Sequence, residues 1–345
     1  MKVLSLFDGI SCARVALERA GIKVSGYYSS EIDKYALEIS KKNYPDIVQM
    51  GSITDISFRA AYNAPHILGI DLLIGGSPCQ DLSIAKKGRQ GLDGERSGLF
   101  WEYVRILKEV QPKYFILENV ASMPKEAKEI ISKELGVEPI MINAALLSAQ
   151  NRKRLFWTNI PNVVLPEDKG ILLRDILEPK VDESFTVKDK SNTIRTGGRG
   201  SGINDKHNWD TIRIGEFNKG GQGDRIYSTD GKSVGLSALG GGRGAKTGLY
   251  CVGIIPESIK PKGNYLPRER VFSDKGKFRA VSTVKNQQPY IQQNTIIRKL
   301  TPIECERLQG LPDGYTGGAS NSQRYKMLGN AFNVDVVAHI LSFIK

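Results

Sequence analysis

Over roughly the first 160 residues, short apolar runs alternate with segments in which apolar residues recur at helical spacing. The runs have the length of strands, and the segments between them place their apolar side chains on one helical face. Strands and helices that alternate in this way predict a parallel α/β sheet with right-handed crossovers. The runs lie at residues 2–7, 26–30, 47–53, 71–75, 114–117, 139–147 and 155–160, and the first two helices are expected at residues 15–20 and 33–42.

Beyond residue 161 the pattern changes to glycine-, serine- and lysine-rich sequence with short β-like runs. It contains an internal repeat of strand–turn–strand character with Gly/Asp turns, which predicts β-hairpins. The copies lie at residues 225–239, 270–284 and, more weakly, 185–194. Helical patterning returns near residue 299. The predicted organisation is a first α/β domain, a small β-rich domain and a return to the first domain, over residues 1–175, 176–296 and 297–345.

The net charge of +12 is concentrated in the β-rich part of the chain. Residues 181–300 hold 21 lysines and arginines against 11 acidic residues, together with 18 of the 36 glycines, whereas the rest of the chain holds 28 basic residues against 26 acidic ones. A nearly neutral body with a basic, glycine-rich insert is typical of an enzyme that carries a region for binding a polyanion. Charge favours nucleic acid here, with a solvated loop region as the alternative.

The four cysteines lie far apart and show no paired or metal-binding spacing. We therefore expect no disulfides, no zinc site and a reducing compartment. The first apolar run is too short for a signal peptide, and no run approaches the length of a membrane span. These features predict a soluble protein of the cytoplasm.

One cysteine lies where a predicted strand becomes a loop. Cys79 belongs to Ser77-Pro78-Cys79-Gln80, which directly follows the apolar run at residues 71–76. Ligands bind at the carboxyl ends of strands in doubly wound sheets, and an unpaired thiol there is a candidate nucleophile. A small core residue that happens to follow a proline fits this local pattern equally well.

The ends of the first two runs suggest a nucleotide site. Phe7-Asp8-Gly9 supplies a glycine turn that lets the backbone approach a ligand, and Glu31 supplies an acid that accepts from ribose hydroxyls. Ser11-Cys12 stands where further glycines would support a pyrophosphate, so S-adenosylmethionine, which has no phosphate, fits better than a dinucleotide. Near the third run, Asp55 is expected to accept from the adenine amino group and Ile56 to pack on the ring. A purely structural turn explains the Phe-Asp-Gly element as well.

A carboxylate and two arginines lie at other predicted strand ends. Glu118 follows an apolar run, and a carboxylate in such a position can carry a proton at neutral pH. Alternation along an extended segment places Gln150, Arg152 and Arg154 on one face. Alone, Glu118 fits a helix N-terminus and the arginines fit a basic surface strand. Together with Cys79 they would form one site.

In their order along the chain, these elements resemble the motifs of the cytosine-C5 DNA methyltransferases of bacteria and their phages. The resemblance covers nearly the whole chain, and its motifs are specific as an ordered set. They are Phe7-Asp8-Gly9, Glu31, Asp55, Gly76-Ser77-Pro78-Cys79-Gln80, Glu118-Asn119-Val120, Gln150 with Arg152 and Arg154, Arg298-Lys299-Leu300-Thr301-Pro302 with Glu304, Arg307-Leu308-Gln309-Gly310, and Gly329-Asn330-Ala331. Two departures, Phe-Asp-Gly-Ile-Ser-Cys for Phe-Ala-Gly-x-Gly-Gly and Asp81-Leu82-Ser83 for Pro-Phe-Ser, look like those of mammalian de novo DNA methyltransferases.

The resemblance implies a Rossmann-like methyltransferase domain with a smaller β-rich target-recognition domain. It implies S-adenosylmethionine as cofactor and S-adenosylhomocysteine as product. It also implies that the Cys79 thiolate adds to C6 of a flipped-out cytosine, that Glu118 binds the N3 and amino edge, and that Arg154 holds O2. Arg152 would support the site and a phosphate. The residues that it assigns to the cofactor are Phe7, Asp8, Gly9, Glu31, Ile32, Asp55, Ile56, Pro78, Leu99, Asn330 and Ala331.

Two segments are expected to meet double-stranded DNA. Residues 80–98, with Lys86, Lys87 and Arg89 and glycines at 88, 91, 94 and 98, are predicted to form a mobile loop that closes over the site, with an ordinary surface loop as the alternative. The basic insert is expected to read bases in the groove while its cations hold phosphates. The candidates are Gln80, Ser83, Lys86, Lys87 and Arg89 in the loop, and Arg195, Arg199, Arg243 and Lys246 in the insert.

Two other functions fit parts of the sequence. One branch of the family modifies transfer RNA, although the large glycine-rich insert favours duplex DNA. A catalytically silent DNA-binding regulator is the second, although Cys79, Glu118, Arg154 and Asn330 are all present. The preferred prediction is a monomeric DNA methyltransferase of the bacterial cytoplasm, encoded by a host or a phage, with a cognate restriction endonuclease as an optional partner.

Overall fold

The computed structural model describes residues 1–58, 69–77, 99–179, 181, 213–216, 225–229, 231–236, 249–252, 271–273, 290–292, 296–298 and 300–344. These ranges contain most of the first domain and short strands of the insert. The predicted loop at residues 80–98 and every candidate DNA contact lie outside the described residues, and the description resumes at Leu99.

A seven-stranded sheet forms the centre of the molecule, and its strands follow one another in space as β3-β2-β1-β4-β5-β8-β6. The chain order reverses between β1 and β4, and such a switch point is where open α/β sheets bind ligands. The strands are β1 Lys2–Leu6, β2 Gly26–Ser30, β3 Val48–Gln49, β4 Leu72–Gly76, β5 Tyr114–Val120, β6 Ile140–Asn143 and β8 Lys153–Thr158, while β7, Gln150–Asn151, lies outside this sheet.

Strand β8 runs antiparallel to both of its neighbours, β5 and β6, whereas the remaining strands of this sheet are parallel. The predicted α/β class is confirmed, but the prediction of a wholly parallel sheet is wrong for β8. A parallel connection needs a crossover of about a dozen residues or more. Only residues 144–152 separate β6 from β8, so the chain turns back and inserts β8 beside β5.

Strand β3 is shorter than the sequence predicted, and strand β5 is longer. The third run yields only the two residues of β3, because Gly51 adopts φ of 77° and ends the extended backbone. Strand β5 continues to Val120, beyond the predicted end at residue 117. Glu118 therefore lies inside a strand, where the two adjacent strands hold its backbone in place.

Helices cover both faces of the sheet, and the alternation of side chains along β4 shows how. Leu72 and Ile74 pack in the apolar cluster that includes α1 and α7, while Leu73 packs in the cluster that includes α3 and α4. None of the helices in the described ranges is long and apolar enough to cross a membrane. The helices are α1 Cys12–Arg19, α2 Lys34–Asn43, α3 Leu99–Val110, α4 Lys125–Leu135, α5 Pro302–Leu308, α6 Asn321–Asn330 and α7 Val334–Leu341.

Residues 300–344 pack against the beginning of the chain. Arg19 at the end of α1 forms an ion pair with Asp335 of α7 at 2.6 Å. The Tyr315 hydroxyl donates to the backbone carbonyl of Ile10 at 2.7 Å, and Lys326 of α6 pairs with Asp33 at 2.6 Å. These contacts bring the end of α6 to the edge of the sheet where β1 and β2 end.

The insert contributes short strands, and their pairing corrects the predicted hairpins. The first repeat copy was expected to fold back on itself, but β10 pairs with β9 and β12, and β11 pairs in parallel with β7. In the second copy only β13 is described, and it pairs in parallel with β14, while the rest of that copy and the third copy, residues 185–194, lie outside the described residues, so their predicted hairpins stay predictions. Backbone partners elsewhere in the chain replace the local turn. The strands are β9 Arg213–Glu216, β10 Arg225–Ser228, β11 Ser233–Val234, β12 Leu249–Val252, β13 Val271–Ser273, β14 Tyr290–Gln292 and β15 Ile296–Arg298.

Candidate active site

A cavity of about 380 Å³ opens where β1, β2, β4 and β5 end, and the end of α6 closes one side of it. Its volume falls within the usual range for small-molecule sites, about 300–1,000 Å³. The residues predicted from the sequence that line it are Phe7, Asp8, Gly9, Glu31, Ile32, Leu99, Glu118, Arg152, Arg154, Asn330 and Ala331. Two groups of residues predicted from different parts of the chain, for a cofactor and for catalysis, therefore share one cavity.

Glu31 lies at one end of the cavity, directly after β2. Its Oε2 accepts from the backbone N–H of Gly9 at 2.8 Å, and its Oε1 accepts from those of Ile32 at 2.7 Å and Asp33 at 2.8 Å. A carboxylate has about four acceptor positions, so these bonds orient Glu31 while it can still accept from a ligand hydroxyl. Beside it, the Ile32 side chain is 75% exposed and offers an apolar surface to a flat ring.

The turn of residues 7–11, which follows β1, has left-handed backbone at three positions. The angle φ is 56° at Phe7, 59° at Gly9 and 61° at Ser11, a region that residues other than glycine rarely adopt. The backbone N–H of Asp8 donates to the carbonyl of Ser30 at 3.1 Å, which ties the turn to the end of β2. One wall of the cavity is therefore built from strained backbone.

The Asp8 carboxylate is buried beneath this turn. It is 4% exposed and accepts hydrogen bonds of 2.5–3.0 Å from four hydroxyl groups, those of Ser5, Ser11, Tyr27 and Ser29. The sequence predicted a cofactor contact for Asp8. In the structure its side chain is engaged in the interior, so only its backbone is placed for such a contact.

Burial of Asp8 predicts a pH-dependent loss of stability. Desolvation raises the pKa of Asp8 above its ordinary value of 3.8, so the folded protein holds this proton more tightly than the unfolded chain. The unfolding free energy therefore falls as the pH rises from 3.8 through the folded pKa. Because Asp8→Asn has no proton to lose, its unfolding free energy relative to the wild type should rise over that interval. Urea titrations of both proteins between about pH 4 and pH 8 measure this difference, and a constant difference would contradict the prediction.

The structure places Ser52 and Ile53 at the wall that the sequence assigned to Asp55 and Ile56. The Asp55 carboxylate is exposed and accepts from the Thr54 hydroxyl at 3.0 Å, while the Ile56 side chain is buried in the core. Strand β3 ends at Gln49, earlier in the sequence than predicted. The residues that reach the cavity therefore also come earlier in the sequence, at positions 52 and 53. The adenine contacts predicted for Asp55 and Ile56 are not supported by this geometry.

Glu118 and Arg154 form an ion pair at the other end of the cavity. Arg154 Nε lies 2.7 Å from Glu118 Oε1, and 21% and 13% of the two side chains are exposed. Arg154 lies opposite Val120 in the β5–β8 ladder, so Glu118 is its diagonal neighbour on the same face of the sheet. A second bond, from Arg154 Nη1 to the Lys153 carbonyl at 2.9 Å, fixes the guanidinium further. The sheet therefore presents an oriented carboxylate and guanidinium to the cavity.

Gly76, the last residue of β4, lies directly beside this ion pair. It is paired with Glu118 in the β4–β5 ladder. A methyl group added at Gly76 would come within 2.7 Å of the Phe332 ring and 3.0 Å of Glu118 Oε2. The close approach of three chain segments explains why this position has no side chain.

Gly76→Ala is expected to destabilise the fold by about 1–3 kcal/mol, the usual cost of overpacking. The reason is that neither the Phe332 ring nor the Glu118 carboxylate can retreat without disturbing the cavity. Gly26→Ala, in the same sheet, is the matched control, because its methyl group would meet Tyr28 at an ordinary 3.4 Å. Equilibrium unfolding in urea compares the two, and equal stability losses would contradict the expected clash.

Arg152 is buried between three parts of the molecule. Its Nη1 donates to the carbonyl of Leu236 at 3.3 Å, and its Nη2 donates to those of Gly329 at 3.2 Å and Ala331 at 3.0 Å. It thus joins the insert and the end of α6 to the strand that carries Arg154. Gln150, predicted on the same face, is fully buried and does not line the cavity.

Asn119 fixes the start of the segment that contains Cys79. Its side-chain amide donates to the Ser77 hydroxyl at 3.1 Å and to the Ser77 carbonyl at 3.4 Å. Ser77 itself lines the cavity beside Glu118. Pro78 and Cys79 lie outside the described residues, so their predicted roles stay predictions that rest on the position of Ser77.

The predicted DNA contacts also lie outside the described residues and stay predictions. They are Gln80, Ser83, Lys86, Lys87 and Arg89 of the loop, and Arg195, Arg199, Arg243 and Lys246 of the insert. Residues that the sequence reasoning missed are Ser52, Ile53, Lys326 and Phe332, all of which line the cavity. Phe332 follows Asn330-Ala331 directly, so an aromatic residue beside a predicted contact was the available signal.

The chain is similar to known cytosine methyltransferases over its whole length. A family model described as C-5 cytosine-specific DNA methylase matches residues 1–345. The Type II methyltransferase M.HhaI of Haemophilus parahaemolyticus is 30% identical, over 99% of this chain and 93% of that protein. The orphan methyltransferase M.SPRI of Bacillus phage SPR is 27% identical, over 99% of this chain and 96% of that protein.

Solved structures show the same fold at lower identity. The methyltransferase EhMeth of Entamoeba histolytica superposes with a TM-score of 0.67 at 17% identity, covering 99% of this chain and 97% of that one. The Dnmt2 methyltransferase of S. pombe superposes with a TM-score of 0.60 at 18% identity, again over 99% and 97% of the two chains. The central sheet, its crossovers and the returning C-terminal segment thus belong to a known methyltransferase fold.

Proposed function

The chain belongs to the C-5 cytosine-specific DNA methylase family, and on that premise we propose that it transfers a methyl group from S-adenosylmethionine to C5 of a cytosine in duplex DNA. The observation that carries this proposal is the Glu118–Arg154 ion pair, which shares a cavity with Glu31. One end of the cavity has the groups that bind a ribose and a flat ring. The other end has the groups that bind the polar edge of a base.

The residues at the Glu31 end suit S-adenosylmethionine. Glu31 accepts from hydroxyl groups, and the apolar side chains of Ile32, Ile53 and Leu99 surround the same end of the cavity. The side chains of Ser11 and Cys12 are buried, so the turn offers no open cradle for a pyrophosphate, and the Glu31 carboxylate would repel one. When bound, S-adenosylmethionine supplies an electrophilic methyl group and leaves as S-adenosylhomocysteine.

Glu31→Gln is expected to weaken S-adenosylhomocysteine binding by about 10- to 100-fold, because loss of a charged, partly buried acceptor costs about 1–3 kcal/mol. The new amide N–H groups would also face the N–H donors of Gly9 or Ile32. Isothermal titration calorimetry measures the change. Glu38→Gln, on the exposed side of α2, is the control and should bind as the wild type does. Equal affinities of the two variants would remove Glu31 from the cofactor site.

The chemistry begins at C6 of the cytosine, since C5 alone is a poor nucleophile. The Cys79 thiolate forms a bond to C6, and the C5–C6 electron pair shifts toward C4 as the C4–N3 pair moves onto N3. Glu118 shares a proton at N3, so no full negative charge develops on the ring. C5 is then nucleophilic and accepts the methyl group. Loss of the C5 proton to solvent and departure of the thiolate with its electron pair restore the aromatic ring.

Arg154 positions both partners of this step. Its ion pair with Glu118 fixes the carboxyl group, and the guanidinium has further N–H donors for O2 of the base. Arg152 acts indirectly. It donates hydrogen bonds to the backbone carbonyls of Gly329 and Ala331 and so holds the segment that contains Asn330. The cytosine must leave the base stack to reach these groups, because they lie inside a cavity.

Duplex DNA is the proposed substrate because the chain carries a basic, glycine-rich insert and because M.HhaI, at 30% identity, is named a Type II methyltransferase. We place the protein in the bacterial cytoplasm as a monomer. A cognate restriction endonuclease is the expected partner if the gene belongs to a restriction–modification system. If the gene is solitary, as the orphan methyltransferase M.SPRI is named, no such partner is expected.

Transfer of a tritium-labelled methyl group tests the proposal directly. The purified chain is incubated with labelled S-adenosylmethionine and equal masses of duplex DNA and transfer RNA. Label in DNA that bisulfite sequencing locates as 5-methylcytosine in one short sequence is the expected result. Label in transfer RNA would identify an RNA methyltransferase instead, and transfer to neither would reject the enzymatic function.

A further inference from the structure

The buried Asp8 carboxylate joins three of the elements beneath the Glu31 end of the cavity. Its hydroxyl partners come from β1, from β2 and from the start of α1. The Ser11 hydroxyl also lies 2.7 Å from that of Ser40 on α2, which in turn accepts from Gln49 of β3 at 3.2 Å. One polar network therefore runs beneath the cavity floor, and Asp8 is at its centre.

Four hydroxyl groups fill the acceptor capacity of this carboxylate, since a carboxylate has about four acceptor positions. Each of Ser5, Ser11, Tyr27 and Ser29 is at most 1% exposed, so water does not compete for these bonds. A buried group of this kind is costly unless its hydrogen bonds are made. The network therefore has one favourable arrangement, in which all four hydroxyls point at Asp8.

Ser11 is the link between this network and the strained turn. Its φ of 61° is a conformation that glycine adopts freely and that serine does not. Its hydroxyl donates to Asp8 Oδ2 at 2.6 Å, and its backbone N–H donates to the Asp8 carbonyl at 3.1 Å. The side-chain bond thus holds a non-glycine residue in a glycine-like conformation.

The turn of residues 7–11 also sets the position of Glu31. The backbone N–H of Gly9, two residues before Ser11, donates to Glu31 Oε2 at 2.8 Å. Tyr27 and Ser29 precede Glu31 on β2, and both donate to Asp8. Asp8 therefore contacts both sides, but the ladder with β1 already holds Tyr27 and Ser29 in place, which leaves the turn as the side that depends on Asp8.

We propose that Asp8 is a positioning residue for the cofactor, which acts by holding Ser11 in the left-handed conformation and so aiming the Gly9 N–H at Glu31. Asp8 does not touch the cofactor with its side chain. This inference rests on the proposed function, because it takes S-adenosylmethionine as the ligand of the Glu31 end. It assigns to the Asp8–Ser11 pair the task of keeping that end of the cavity shaped for the ligand.

A double-mutant cycle on Asp8 and Ser11 tests the inference, with S-adenosylhomocysteine affinity measured by calorimetry. Asp8→Asn replaces an acceptor by a donor and should weaken binding about 10- to 100-fold. Ser11→Gly, which needs no hydrogen bond to adopt the turn, should bind within about threefold of the wild type. In the Ser11→Gly background, Asp8→Asn should cost only a few-fold, a clear departure from additivity.

Two further measurements separate positioning from loss of fold. Ser11→Ala keeps the strained backbone but loses the hydroxyl, so it should bind more weakly than Ser11→Gly even if Asp8→Asn fails to fold. In methyl transfer, the KM for S-adenosylmethionine should rise in Asp8→Asn while kcat at saturating cofactor stays within about twofold of the wild type. A generally damaged protein would lose kcat as well.

The inference is overturned if Asp8→Asn weakens binding equally in both backgrounds, if it leaves binding unchanged, or if Ser11→Ala and Ser11→Gly bind alike. These outcomes differ from failure of the proposed function. A wild-type protein that binds neither S-adenosylmethionine nor S-adenosylhomocysteine would reject that function itself, and with it the ligand on which Asp8 is proposed to act.

Discussion

Cys79→Ala is expected to abolish methyl transfer, with a loss on the order of 10⁴-fold or more, because Cys79 is the residue proposed to form the bond to C6 that makes C5 nucleophilic. Binding of S-adenosylmethionine should be retained, since Glu31 and the 7–11 turn do not depend on the thiol. The loss should therefore appear in kcat alone. Quantifying labelled methyl groups in duplex DNA over long incubations measures it.

A covalent adduct gives a second and more direct readout of Cys79. In DNA that contains 5-fluorocytosine, fluorine replaces the C5 proton, so the last step cannot release the enzyme and the bond from sulfur to C6 persists. The wild type should therefore form a complex with this DNA that survives denaturing electrophoresis. Cys79→Ala should form none.

Cys305→Ala is the matched control for this experiment. Cys305 is buried in α5, and burial raises the pKa of its thiol, which makes it a poor nucleophile. This variant should form the adduct as the wild type does. An adduct with Cys79→Ala, or its absence with Cys305→Ala in a folded protein, would assign the nucleophile to a different residue.

Glu118→Gln is expected to lower the single-turnover rate of methyl transfer by about 10²- to 10⁴-fold, the usual contribution of a positioned acid or base. Glutamine preserves the size of the side chain but cannot share a proton with N3. Arg154→Ala should cost a comparable factor, about 10²- to 10³-fold, because it removes both the guanidinium donors and the partner that orients Glu118.

The two residues should act as one unit. Since Arg154 Nε is 2.7 Å from Glu118 Oε1, the double variant should be little slower than the worse single variant. Glu102→Gln is the control, because it breaks a comparable ion pair, with Arg105 at 2.6 Å, on α3. Rapid-quench measurements with saturating DNA compare these four variants with the wild type. Additive losses, or an equal loss in Glu102→Gln, would contradict the role of the pair.

The parts of the site that follow from strand ends could be predicted from the sequence. Glu31 and Glu118 come after apolar runs, and in a sheet of this class such positions converge at one edge. Their assignment therefore needed only the direction of the strands. The family motifs then connected them with Asn330 and Ala331, which lie some 200 residues further along the chain and line the same cavity.

Features that depend on partners distant in sequence could not be predicted. The antiparallel direction of β8 is one such feature. The apolar periodicity of a strand carries no information on the direction in which the strand runs in the sheet. The repeat copies looked like hairpins, yet β11 gains its hydrogen bonds from β7, a partner that a local pattern cannot reveal. The tertiary contact prevailed over the local turn.

Side-chain direction was the other limit. The Phe7-Asp8-Gly9 pattern predicts a turn whose backbone approaches a ligand, so the charged side chain in it was assigned to the ligand. The four hydroxyls that draw Asp8 inward come from separate elements, and nothing in their individual positions marks them as partners. Asp55 and Ile56 show a limit of length instead, because β3 ends early and Ser52 and Ile53 line the cavity in their place.

The packing of residues 300–344 against α1 has a consequence for how the protein is made. One wall of the cavity is built from residues 7–10 and the other from residues 327–332, so the cavity cannot exist until the ribosome has passed the whole insert. Domains usually fold as they emerge, but here the first 175 residues emerge before the cavity wall at residues 327–332 has been made. Such long-range closure also slows folding, because loop entropy must be lost before the contacts form. If residues 300–344 were placed before Met1, both walls of the cavity would leave the ribosome before the insert, and this rearranged chain is expected to fold faster than the natural one.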